Sequence, residues 1–156
     1  MLEIPEAHAR SSEISTLLKD KQVSAVEVLS SPHKFAFFTD PVSCYPELLI
    51  DRRIEGARAQ GGQIEMLFDR DLRLVLNDGI NMRVLAPEAK RPLKHQLLLT
   101  LSDGSALCCS VQMYGGLHLY QSGENGNSYF QVARDKPNPL SSAFDADYFR
   151  SLIRSV

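Results

Sequence analysis

Apolar positions along the chain follow a helical period first, then a long stretch of strand period, then a helical period again. Ala7, Ile14, Leu17 and Leu18 share one stripe, while Arg10, Ser11, Glu13 and Lys19 lie elsewhere. That spacing predicts a helix over Ala7–Lys19, with Pro5 in its first turn and Glu6 at the positive end of its dipole. From Val23 to Leu29, the set Val23, Ala25 and Glu27 alternates with Ser24, Val26 and Val28, a strand with one mostly apolar face. Ser31-Pro32 ends it. Lys34 to Thr39, carrying Phe35, Phe37 and Phe38, is a short strand or buried run, and Pro46 to Leu49 is one helical turn.

From residue 52 to 120 the pattern is that of hairpins. Ile54–Ala59 and Gln63–Phe68 flank Gly61-Gly62, and Leu72–Leu76 follows Asp69-Arg70-Asp71. Asn77-Asp78-Gly79 is a turn signal that separates Leu72–Leu76 from Asn81–Leu85. His95–Leu101 and Ser105–Gln112 pair across Ser102-Asp103-Gly104, and Gly115-Gly116 divides Met113-Tyr114 from Leu117–Tyr120. Tyr129–Ala133 reads as a last strand, and a helix begins at Asp145 with Tyr148, Phe149 and Leu152 on its apolar side. Seven to nine short strands between two helices predict an α+β, mainly β class. The expected architecture is a two-layer antiparallel β-sandwich, or flattened barrel, with an N-terminal and a C-terminal helix packed at its ends. The last helix runs straight into Ser155-Val156, as expected of a chain cut from, or shortened relative to, something longer.

Composition narrows the classes. The 156 residues suit a single domain over 1–156, and 44% hydrophobic with 23% charged residues excludes disorder, collagen and coiled coil. No apolar run approaches the ~18 residues of a membrane helix, and the acidic start lacks the form of a signal peptide. A cytoplasmic protein without a membrane partner is expected. Three cysteines, two of them adjacent at Cys108-Cys109, have no CxxC spacing and read as reduced thiols, with no metal site. No cofactor motif is present. The four histidines lack metal-ligand spacing, and no Gly-x-Ser-x-Gly marks a serine hydrolase.

Charge is uneven around a net −2. Residues 1–78 carry 9 basic and 13 acidic side chains, and residues 79–156 carry 8 and 6. Arg83, Lys90, Arg91, Lys94 and His95 fall within thirteen positions and are candidates for an anion-binding face. The other reading of such a cluster is a solvated loop. His33, beside Lys34 and Phe35, is a weaker nucleic-acid candidate.

Three stretches together resemble the formamidopyrimidine-DNA glycosylase and endonuclease VIII family of base-excision repair. The opening Met1-Leu2-Glu3-Ile4-Pro5-Glu6 is similar to that family's Met-Pro-Glu-Leu-Pro-Glu. Pro139-Leu140-Ser141-Ser142-Ala143-Phe144, followed by Tyr148-Phe149, resembles the motif that closes its N-terminal domain. Lys94 to Gly104 matches a strand and turn between them.

The resemblance implies a β-sandwich domain that acts on damaged double-stranded DNA, with an α-amine attacking the sugar carbon to form an imine. It also implies departures. The family's N-terminal proline corresponds to Leu2, whose bulk retains Met1, so any catalytic amine lies on Met1, one residue further out. Glu3 matches the family's acid–base glutamate; its other reading is a charge at the helix N-terminus. The family's lysine falls in Gln60-Gly61-Gly62-Gln63, where no lysine stands. The wedge that fills the hole of a flipped base falls on Val111 to Gly116, leaving Met113 and Tyr114 as apolar candidates against a reading as strand-end packing.

The family's helix-two-turn-helix and zinc-finger parts are absent from this sequence, which implies weak DNA binding by this chain alone. The resulting expectation is a glycosylase/AP-lyase relative, N-terminal domain only and inactive alone. The alternative is a non-catalytic DNA-binding or protein-interaction module on the same sandwich. The lesion read and the oligomeric state are not legible.

Overall fold

The computed structural model describes residues Met1–Ser155. Helix α1 (Ile4–Leu18) buries Ala7, Ser11, Ile14 and Leu18, a stripe at helical spacing that faces strands β3 (Ile54–Gln60) and β4 (Gln63–Phe68). Leu17, expected on that stripe, is instead largely exposed, and Ser11 takes the covered position. The Ser15 hydroxyl donates to the Ala57 carbonyl at 2.9 Å and accepts from the Ala57 N–H at 2.8 Å, which pins the helix to β3.

The strands form one seven-stranded sheet in the order β1-β6-β7-β5-β4-β3. Here β1 is Val23–Val28, β5 Leu72–Leu85, β6 Leu97–Leu101 and β7 Ala106–Gln121. The short β2 (Ala36–Phe38) lies parallel beside Gly115–Leu117 of β7, and all other pairings are antiparallel. A 3-10 turn (Val42–Cys44) and α2 (Tyr45–Leu49) link β2 to β3.

Two layers arise because β5 and β7 pass through both. Residues 72–77 of β5 pair with β4 and the end of β7, and residues 80–85 pair with the start of β7, which also holds β6. Their inward side chains, among them Leu74, Leu76, Met82, Leu107 and Leu117, share one core with Ile14 and Leu18. The sheet is not closed. Its edges meet where Gln22 bridges Arg53, where the Ile54 N–H donates to the Lys21 carbonyl at 2.9 Å and where the Val23 N–H donates to the Arg52 carbonyl at 2.8 Å.

Asn77-Asp78-Gly79 is a bulge inside β5, not the turn its sequence suggests. The register shifts between Asp78 and Ile80, and Asp78 holds φ +53°. Gly115-Gly116 likewise lies inside β7, opposite Asp78 and Asn77. Dense glycine at the crossing has a packing cause: a Cβ on Gly79 would come within 2.5 Å of the Tyr114 carbonyl oxygen.

The expected strand at Tyr129–Ala133 is a helix, α3 (Ser128–Asp135). The Asn127 side chain accepts from the Phe130 N–H at 3.1 Å and caps it, overriding the strand propensity of Tyr129, Phe130 and Val132. The last helix, α4 (Ala146–Arg154), forms as read, with Asp145 as its cap. It does not pack against the sheet as expected. None of its residues is buried, and Phe149, Leu152 and Ile153 are 50%, 39% and 58% exposed.

All three cysteines are unbridged. Cys109 belongs to the main core and Cys108 to a small cluster on the other face of the sheet, as alternation along a strand requires. Burial pushes both thiols above their ordinary range.

Candidate nucleic-acid interface

The β5 bulge builds the N-terminal site. Leu2 is buried, and its N–H donates to the Asp78 carbonyl at 2.7 Å. On its other side Gly62 approaches so closely that a Cβ there would lie 2.7 Å from the Leu2 carbonyl oxygen. No side chain fits at Gly62 without moving the N-terminus. With Leu2 held between bulge and β3–β4 turn, Met1 projects outward, 81% exposed.

Met1 stands between two depressions. A cleft of about 340 Å³ is walled by Gly62, Gln63, Asn77, Asp78, Asn127 and Tyr129. A smaller, mainly apolar one of about 170 Å³ is walled by Gly79, Gln112, Met113 and Tyr114. Met113 and Tyr114, at 74% and 42% exposure, are not packed as ordinary strand-end residues. Beside them, the Gly115 N–H donates to the Phe35 carbonyl at 3.0 Å, so β2 brings the half-exposed Phe35 and Phe37 next to Tyr114. Lys34 Nζ sits 5.4 Å from the centre of the Phe35 ring, and His33 Nδ1 accepts the Phe35 N–H at 3.2 Å.

Glu3 occupies the N-cap position of α1 without capping it. Its carbonyl accepts from the Ala7 N–H at 2.8 Å, while its exposed carboxylate has no hydrogen bond or ion pair among the described residues. Near the cleft, His118 is half-buried. Burial pushes its imidazole below the ordinary range, and the Asp78 carboxylate opposes that shift.

The basic cluster is divided. His95 is not a surface contact: it is 3% exposed, with Nδ1 3.0 Å from the Pro92 carbonyl and Nε2 3.8 Å from a Glu27 carboxylate oxygen. The Arg91 guanidinium donates to the carbonyls of Ala86 and Gly104, clamping the loop over the β6–β7 turn. Both residues hold the loop in shape. Lys90, Lys94 and Arg83 remain exposed. Arg83 pairs with Cys108 and so shares a sheet face with Gln112, which walls the smaller depression. Among the described residues no group of three or more His, Cys, Asp or Glu side chains forms a metal site.

The structure therefore brings Met1, Met113 and Tyr114 together around the smaller depression, whose lining does not include Arg83, Lys90 or Lys94. Sequence reasoning named Gly62 and Gln63 only as the stretch without a lysine, and did not name Asn77, Asp78 or Tyr129 as walls of the cleft. The signal for Asn77 and Asp78 was present, since Asn-Asp-Gly marks a bulge as well as a turn.

No family model matches the chain, and no curated protein sequence does either. Solved structures do. The formamidopyrimidine-DNA glycosylase of Lactococcus lactis, non-covalently bound to DNA with an abasic site, superposes with a TM-score of 0.76 and 20% identity, over 98% of this chain and 57% of that one. A MutM in complex with DNA containing carbocyclic 8-oxo-G superposes with a TM-score of 0.75 and 22% identity, over 98% and 57%. The fold is that of a formamidopyrimidine-DNA glycosylase N-terminal domain. The chain spans a little over half the length of the glycosylase structures it matches.

Proposed function

We propose that this chain binds damaged double-stranded DNA through the surface around Met1, as a relative of base-excision glycosylase/AP-lyase N-terminal domains without an imine-forming amine in place. The observation that carries the reading is the grouping at the sheet's bend. Met1 lies between two depressions, beside the exposed side chains of Met113 and Tyr114, and the exposed Phe35 is tied through its carbonyl to the next residue, Gly115. Exposed apolar and aromatic side chains of this kind insert into or stack on an interrupted base stack.

Imine chemistry needs a fixed, unprotonated amine within reach of the sugar carbon and an acid beside it. Leu2 takes the buried, hydrogen-bonded position, which moves the free amine outward by one residue, up to ~3.8 Å. A misplacement of ~1 Å can cost about a hundredfold in rate. Glu3, with its unpartnered carboxylate, has no fixed amine to serve.

The test is binding to two duplexes that differ only by one abasic site, at rising salt. The abasic duplex is expected to bind more tightly, and Tyr114→Ala to weaken that binding roughly tenfold. Lys90→Gln or Arg83→Gln is expected to lower the log–log salt slope by about 0.9 for each phosphate that is no longer neutralised. Equal affinity for both duplexes, unchanged in Tyr114→Ala, contradicts the proposal.

One observation favours the alternative, a protein-interaction module: the apolar side of α4 stays uncovered at Phe149, Leu152 and Ile153. That reading predicts no lesion-dependent DNA binding at all.

A further inference from the structure

Between α3 and the sheet face that carries Arg58, Glu65 and Arg73 lies a cavity of about 50 Å³ walled by Arg58, Arg73, Arg134, Glu65, Asn125 and Phe130. Three guanidiniums meet one carboxylate there. That carboxylate is committed: Glu65 accepts from Arg58 Nε at 2.6 Å and from Gln60 at 3.2 Å. Arg134 is paired outward with Asp135 at 2.7 Å.

Arg73 is the exception. Its side chain is 14% exposed, and its nearest carboxylate, on the exposed Asp71, stands 3.6 Å from Nη2. Nη1 donates to the carbonyls of Phe68 and Leu72 at 3.1 and 2.9 Å. The buried Nε has no acceptor among the described residues. The edge left over, Nε with Nη2, is the pair of parallel N–H groups that matches two oxygens of an oxyanion.

We propose that this cavity binds one phosphate group, held by the Nε–Nη2 edge of Arg73 with Arg58 and Arg134 as further partners. A cationic wall disfavours a metal ion. The space is several times the ~10–15 Å³ that one water needs, and a largely buried guanidinium whose one carboxylate partner is the exposed Asp71 at 3.6 Å favours an anion over neutral solvent. Arg134 and Phe130 both belong to α3, and the residues opening that helix, Asn127 and Tyr129, wall the cleft beside Met1. A phosphate group in the cavity therefore fastens α3, and with it one wall of that cleft, to the sheet. The phosphate is either free in solution or part of a DNA backbone.

The experiment titrates inorganic phosphate against chloride at constant ionic strength and follows the thermal midpoint of the full chain. A phosphate-specific rise is expected, since a ligand that binds only the folded state stabilises it by mass action. Arg73→Gln is expected to raise the half-saturating phosphate concentration about tenfold or more, and Lys19→Gln, at an exposed lysine outside the cavity lining, to leave it unchanged. Should Arg73→Gln not fold, Arg134→Gln supplies the same readout with a smaller increase.

Added duplex that raises the half-saturating phosphate concentration identifies backbone phosphate as the source, and duplex without effect identifies free phosphate. No phosphate-specific rise in the unaltered chain, or an undiminished one in both arginine variants, overturns the proposal. A phosphate response in a chain that ignores DNA sustains this inference and refutes the DNA reading.

Discussion

Helices α1 and α4 look alike as sequence and are opposites in the structure. Each carries an apolar stripe at helical spacing and an acidic residue in its first turn. Yet α1 buries four residues against β3 and β4, while α4 buries none. Periodicity reports which face of a helix needs cover, and it is silent on what supplies the cover. For α1 the supplier is the sheet. Its entry is fixed by Leu2 on the bulge, its middle by the Ser15–Ala57 hydrogen bonds and its end by the Asp20 N–H on the Ile54 carbonyl. For α4, the aromatic contacts of Phe144 with Tyr148 and Phe149 stay within its own segment.

The largest test of that contrast is a pair of truncations followed by urea unfolding. Ile14→Ala empties a fully covered site and is expected to cost about 2–5 kcal/mol. Leu152→Ala is expected to stay within ~0.5 kcal/mol, as for a residue on an exposed face. A comparable cost at Leu152 would mean that α4 is part of the cooperative unit.

Next in size is Gly62→Ala. The added methyl lies 2.7 Å from the Leu2 carbonyl oxygen, so either the N-terminus or the β3–β4 turn must shift. A loss of about 1–3 kcal/mol is expected, with Met1 displaced, read by unfolding and by amide shifts at the start of α1. A neutral Gly62→Ala would show that the entry to α1 is not fixed as described.

Alternation was enough to place β1, and the turn signals at Gly61-Gly62 and Ser102-Asp103-Gly104 were enough to place β3, β4 and β6, because those turns do close hairpins. The longer strands were not legible. Asn77-Asp78-Gly79 and Gly115-Gly116 carry local turn chemistry, and only the pairing of Asp78 with Gly115 across the bend makes them interior to β5 and β7. The same limit governs the site. Met113 and Tyr114 were named from their place in the chain, and they do flank Met1. His95 and Arg91 were named from charge alone, and their side chains bond Pro92, Ala86 and Gly104 instead. A charge count does not show whether a side chain is already spent on its own loop.

The smallest expected effect is on pH dependence near the bulge. Burial lowers the His118 pKa in the folded chain from its ordinary 6.5, so below that pH the unfolded chain takes up a proton that the folded chain resists. Stability is therefore expected to fall on acidification through about pH 6.5, and His118→Gln to reduce the slope. An unchanged slope in that variant would remove His118 from the account. An equivalent slope traced to α4 would erase the contrast between the two ends.

The central claim is that Leu2 fixes the chain at the bulge and carries Met1 past the point where an amine could do imine chemistry. Borohydride trapping with abasic-site DNA tests it most directly. The account predicts no covalent adduct from the unaltered chain, under conditions where the same duplex is bound. An adduct formed by the unaltered chain and lost when the Met1 amine is acetylated would contradict it and make Met1 the nucleophile.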